Sequence, residues 1–153
     1  ANEPADAVET ALVQPRLPAI LDLSQAVWPV TGSVRGEYGW YRDAATNDWR
    51  FRPGVLIQPE REEAPVRASL SGIVEEVTTA GNGYRVVLAH AEGWSSEYAG
   101  LQTVDVVPGQ HIEVGDRIGS ISLAPHRPGL YFTVRNDSGP VNPQDLLYTP
   151  PVR

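Results

Sequence analysis

The 153-residue sequence contains no cysteine and no lysine; all 12 of its basic residues are arginine, set against 19 Asp and Glu, for a formal charge of −7. Without cysteine there are no disulfides, no thiolate metal sites and no cysteine nucleophile. The acidic balance counts against nucleic acid or an anionic wall polymer as an electrostatic partner, because phosphate binding requires clustered cations. No apolar run approaches the roughly 20 residues of a membrane span, and no signal peptide is visible. What is present is ordinary for a globular protein, with 41% hydrophobic and 20% charged residues. That is too apolar for a disordered chain, and the length suits one domain with an appendage. The compartment stays open on these grounds, although a cysteine-free chain suits secretion. The start Ala1-Asn2-Glu3-Pro4 is consistent with a mature or trimmed form that has lost an anchor.

Residues 1–26 read as a linker or tether downstream of a membrane anchor. Prolines at 15 and 18 break any helix longer than a turn. From Trp28 the pattern changes to short runs rich in Val, Ile and Thr between recurring Gly and Pro. Segments 72–79, 84–90 and 129–135 read as strands, with Gly81-Asn82-Gly83 as a hairpin turn. Nothing shows a sustained 3.6-residue apolar period, so the domain over 27–147 is expected to be all-β, with an acidic loop at Glu60–Glu63 and a Pro-rich tail from Pro140. Residues 148–153 are expected to be a terminal tail.

Several segments, in order, carry a resemblance. Trp28-Pro29-Val30-Thr31-Gly32 precedes Glu37-Tyr38-Gly39-Trp40, and Trp49-Arg50-Phe51-Arg52-Pro53-Gly54-Val55-Leu56 follows. Pro65-Val66-Arg67-Ala68 comes with Gly72-Ile73-Val74, then Val86-Val87-Leu88-Ala89-His90 and Tyr98-Ala99-Gly100-Leu101. The glycine-punctuated tract 107–119 leads to Gly129-Leu130-Tyr131-Phe132-Thr133-Val134-Arg135. The ordered set resembles the LytM domain of the M23 zinc metallopeptidases, which cut peptidoglycan cross-bridges. The resemblance implies two packed antiparallel sheets, the duplicated hybrid motif, with an open groove over one.

A hydrolytic zinc needs three protein ligands and an open position for a water whose pKa it lowers. The family takes its ligands from H-x-x-x-D and the second histidine of H-x-H, with proton-handling histidines in Y-A-H-L and first in H-x-H. The matching positions here are Arg52, Leu56, Tyr131, Gly100 and Gly129. Every one is replaced, and Arg52 would repel a dication. Of the three histidines, His90 matches a structural position, His111 is expected to be exposed, and His126 stands three residues before Gly129. None is spaced to rebuild the ligand set. The run Glu60, Glu62, Glu63 reads as a solvated loop face. No P-loop, Rossmann fingerprint or G-x-S-x-G supplies another chemistry.

The implied protein is therefore a non-catalytic LytM domain, with no metal or other cofactor, working through its surface. The segments around Tyr98-Ala99-Gly100-Leu101 and Gly129–Val134 resemble the degenerate LytM domain of stage IV sporulation protein FA. The resemblance implies an extracytoplasmic, membrane-tethered regulator of an intramembrane metalloprotease in the intermembrane space of a sporulating cell. Two alternatives are a degenerate LytM protein of the mother cell–forespore channel and an activator of cell-wall amidases; an active zinc endopeptidase ranks last. Partners are expected to be proteins, with the membrane met only through the tether. Arg52, Trp40, Trp94 and Tyr131 are the expected lining of a partner-binding groove, where Arg52 either offers a forked donor to a partner carboxylate or is satisfied by an internal acid. An open sheet edge that takes a partner strand is a further mode.

Overall fold

The computed structural model describes residues 21–81, 83–123 and 129–147. The first 20 residues of the expected tether, Asn82 of the hairpin turn, His126 and the tail 148–153 lie outside them. Regular structure among the described residues begins with β1 (Gly32–Gly36), β2 (Gly39–Arg42), β3 (Trp49–Arg52), β4 (Val55–Pro59), β5 (Glu63–Arg67), β6 (Gly72–Ala80) and β7 (Gly83–Ala89). It continues with β8 (Ser95–Leu101), β9 (Thr103–Val104), β10 (His111–Ile112), β11 (Arg117–Ser122), β12 (Leu130–Asn136) and β13 (Gly139–Val141). Among the described residues, helical structure is confined to two single turns at Leu23–Gln25 and Ala91–Gly93 and a four-residue α-helix at Pro143–Leu146. No helix of the described residues is long and apolar enough to cross a membrane. Every strand pair is antiparallel.

The main sheet runs β1-β4-β12-β8-β7-β6-β10, with β13 added to β12; β5-β11-β9 form a second sheet, and β2-β3 a separate hairpin. Side-chain alternation explains the layering. On β4, Val55, Ile57 and Pro59 are buried while Leu56 and Gln58 are half-buried, so one face of the strand meets the core. Leu130, Phe132 and Val134 of β12, Tyr98 of β8, and Val86 and Leu88 of β7 join that face. Against it lie Ala64 and Val66 of β5 and Ile118 and Ile121 of β11, in one continuous core. The two sheets thus close on each other as an all-β sandwich, as expected. The opposite face of the main sheet carries the half-buried alternate residues, Leu56 and Gln58 of β4 among them.

The C-terminal region differs from the expected Pro-rich tail. Pro140 pairs with Arg135 in β13, an edge strand where the missing N–H costs no interior ladder bond. Asn142 then caps the α-helix, its side chain accepting from the Gln144 N–H at 3.0 Å, with proline in the first helical turn. Leu147 ends buried in the core. At the other end, the Val27 N–H donates to the Ser69 carbonyl at 3.0 Å, and Ala26 and Trp28 pack on the core.

One buried polar chain ties β6, β7 and β8 together. His90 Nδ1 lies 2.7 Å from the Ser71 carbonyl, an obligate acceptor, so Nδ1 carries the proton and Nε2 accepts from Ser96 Oγ at 2.7 Å. Ser96 in turn accepts from the Tyr98 hydroxyl at 2.8 Å, and Tyr98 accepts from the Ser69 N–H at 3.0 Å. Each donor along the chain finds its acceptor. Burial lowers the pKa of His90, only partly offset by its bond to Ser71.

Candidate functional site

Strand register decides which residues share the outer face of the main sheet. Tyr131 of β12 stands directly opposite Leu56 of β4 on one side and Ala99 of β8 on the other. Ala99 stands opposite Arg85 of β7. The row Leu56–Tyr131–Ala99–Arg85 therefore crosses four strands; all four members are half-buried, Leu56 and Tyr131 between buried neighbours on their own strands. Arg85 is fixed at the end of the row: Nε and Nη2 donate to Glu97 at 2.7 and 3.3 Å, and Nη1 lies 3.4 Å from Glu76. These contacts raise its pKa, the bond to Glu97 first. Burial pushes the Tyr131 phenol away from ionisation, against the pull of Arg52.

Arg52 reaches this face from the end of β3, but its guanidinium is already engaged. Nη1 donates to the Glu37 carbonyl at 3.1 Å, and Cζ sits 4.2 Å from the centre of the Tyr41 ring. The planar group also lies against Gly36, where a Cβ would come within 2.8 Å of its Cζ. Of the two expected roles, donor to a partner carboxylate or pairing with an internal acid, the second is replaced: a backbone carbonyl and an aromatic face hold Arg52.

Gly100, next to Ala99, and Gly129, two residues before Tyr131, border the middle of the row. Both have positive φ, +95° and +114°. A Cβ on Gly100 would come within 2.7 Å of the Gly129 carbonyl oxygen, and one on Gly129 would run into the Ile57 carbonyl oxygen. The backbones of β4, the start of β12 and β8 thus pack against each other where a side chain would otherwise stand. This goes further than the loss of two histidines. The present backbone leaves no room for any side chain at either position.

The donor set does not fit a hydrolytic zinc. Leu56 has no lone pair, Tyr131 is held as a neutral phenol, and Arg52 brings a fixed positive charge to the third ligand position. Among the described residues there is no group of three or more His, Cys, Asp and Glu that could hold a metal. His90 is buried in the chain described above, and His111 is exposed, with Nε2 2.8 Å from Glu113. Glu60, Glu62 and Glu63 are all exposed.

The four residues expected to line a groove do not come together. Arg52 and Tyr131 share the outer sheet face. Trp40 pairs with Phe51, whereas Arg52 pairs with Gly39, so Trp40 projects from the other side of the hairpin. Trp94 precedes β8, five residues before Ala99, and packs against the core. At about 3.4 Å per strand residue it is well removed from the row. Two concavities lie elsewhere: one of about 240 Å³ beside Trp28, Thr31, Arg61 and Arg67, the other of about 440 Å³ beside Val77, Tyr84 and Val104. Ala99, Arg85 and Glu97 were not singled out from the sequence. The alternation in Ser96-Glu97-Tyr98-Ala99 carries the signal, since buried Ser96 and Tyr98 send Glu97 and Ala99 outward.

Comparison with known proteins agrees with this geometry. The chain is 32% identical over 126 residues to the murein hydrolase activator EnvC of Escherichia coli, covering 80% of this chain and 29% of that protein. It is 29% identical over 133 residues to the cell division protein DipM of Caulobacter vibrioides, covering 78% of this chain and 20% of that protein. The chain thus spans less than a third of the length of either relative. A chain of the SpoIIQ–SpoIIIAH pore-forming complex superposes with a TM-score of 0.67 at 23% identity, covering 80% of this chain and 90% of that one. A zinc-containing peptidase from Vibrio cholerae gives 0.62 at 23% identity, covering 76% and 39%. At these identities the superpositions speak for the fold. The profile of peptidase family M23 matches residues 50–143, from β3 to the first residue of the α-helix, and the chain belongs to that family.

Proposed function

We propose that this is a non-catalytic M23 domain working outside the cytoplasm as a regulatory protein-docking module. The observation that carries the reading is the row Leu56–Tyr131–Ala99 with Gly100 and Gly129 closed against it. An aliphatic side chain, a neutral phenol and a methyl group can be desolvated cheaply by a partner, whereas a charged metal site cannot. Arg85, already neutralised by Glu97 and Glu76, borders this apolar strip without adding an unpaired charge.

Two regulated partners fit such a module. The Tyr98-Ala99-Gly100-Leu101 and Gly129-Leu130-Tyr131-Phe132 segments support the sporulation reading, in which a tethered LytM domain restrains an intramembrane metalloprotease. The identity to a murein hydrolase activator supports the other reading, control of cell-wall amidases. Both use the sheet face and differ only in what it binds.

The test is a substitution on the row itself. Leu56→Glu with Ala99→Glu places two carboxylates on the docking strip and keeps both core-facing neighbours. Complex formation with the intramembrane protease, or with the amidase, should weaken by about tenfold or more while the fold is retained. The pair Arg52→Glu and Trp94→Ala is less diagnostic, because Arg52 is held by Glu37 and Tyr41 and Trp94 packs on the core. Unchanged binding of the row variant to whichever partner associates would remove the sheet face as the interface.

A further inference from the structure

The β2–β3 hairpin carries a second surface. Register places Trp40 opposite Phe51 and Arg42 opposite Trp49, so these four side chains share one face, while Tyr41, Arg50 and Arg52 share the other. Trp40 is 69% exposed, Trp49 60% and Phe51 40%, three of the six large apolar side chains that stand exposed among the described residues. The face is ordered by its own contacts. Phe51 meets Trp40 edge-to-face at 5.4 Å and Tyr38 at 5.3 Å, and the Arg42 guanidinium lies 5.1 Å from the centre of the Trp49 ring.

The charges of the hairpin are sorted between its faces. Arg50 is paired with Asp43 at 3.0 Å, and Arg52 is held by the Glu37 carbonyl and Tyr41. Arg42 donates to the Asn47 side chain at 3.0 Å and has no carboxylate within ion-pair distance among the described residues. An aromatic face in water with one stacked guanidinium and no counter-charge has the composition of an interface anchor.

We infer that this face docks an acidic, apolar segment of a partner protein, its carboxylate meeting Arg42 and its apolar side chains packing on Trp40, Trp49 and Phe51. A second copy is disfavoured, because Trp40, Trp49, Phe51 and Tyr38 offer no carboxylate to meet another chain's Arg42. An anionic bilayer is disfavoured because the face offers one uncompensated cation, Arg42, where such a surface calls for a cluster of them. The surface is separate from the Leu56–Tyr131 row, on the other side of the hairpin from Arg52, so each is substituted without touching the other.

The probe is a short synthetic peptide alternating Glu with Leu and Phe, and its counterpart with Gln in place of Glu, each titrated into the whole chain. Tryptophan emission should shift to the blue, and amide shifts should move within residues 38–52. The Gln peptide, and Arg42→Gln with the Glu peptide, should bind about tenfold more weakly. Trp40→Ala with Trp49→Ala should abolish binding at an unchanged thermal midpoint. Equal affinity for the two peptides, no binding, binding to anionic vesicles instead, or a dimer lost in the double tryptophan variant would each overturn the inference. None of these outcomes bears on the Leu56→Glu, Ala99→Glu test.

Discussion

At the scale of single residues, His90 shows how one position converts sequence into stability. Its ring is 1% exposed and bonded at both nitrogens, so it is kept neutral while its unfolded counterpart titrates near its ordinary 6.5. The folded pKa lies below the unfolded one, so the neutral ring costs nothing above about pH 6.5. As the pH falls, the unfolded chain takes up a proton that the folded chain refuses. Stability should therefore drop as the pH falls through about 6.5, by at most about 1.4 kcal/mol per pH unit from this one group. Denaturant melts across that pH check it. His90→Gln should be less stable at pH 7 but lose this part of the slope, and an equally steep loss in the variant would assign the effect to other groups. The match of His90 to a structural histidine was legible in the sequence. Its bond to Ser96, and through it to Tyr98, needed the register of β7 and β8.

At the scale of elements, the deciding feature is the junction of β4, β8 and β12. The sequence resemblance identified Gly100 and Gly129 as positions where histidines had gone, which is a statement about chemistry. The structure adds a statement about space, since both residues have positive φ and sit against carbonyl oxygens. Restoring the family residues together, as Arg52→His, Leu56→Asp, Gly100→His, Gly129→His and Tyr131→His, should therefore fail to rebuild a zinc site. The two glycine replacements should each cost on the order of 1–3 kcal/mol from backbone strain alone. A thermal melt and the zinc content of the variant check this, and one tightly held zinc per chain would show that the junction can open. The same scale explains the misplaced groove residues. Trp40, Phe51 and Arg52 are close in sequence, but which of them face the same way is set by strand alternation and by the Trp40–Phe51 pairing. Pro140 was read as the start of a tail because proline breaks interior strands, and the edge position of β13 removes that objection.

At the scale of the whole molecule, the all-β sandwich was legible because short β-branched runs, Gly punctuation and motif order all pointed one way. The partner was not, because docking surfaces depend on exposure, and exposure follows from how the two sheets and the hairpin close. The account makes one claim above the rest: an M23 scaffold whose former metal face is built for contact with another protein and not for hydrolysis. The most direct test is the zinc content of the purified, unchelated protein after equilibration with excess zinc and removal of the unbound metal. With Arg52, Leu56 and Tyr131 in the ligand positions, elemental analysis should find well under one zinc per chain. One tightly bound zinc per chain, lost when Tyr131 is replaced by Phe, would contradict the account.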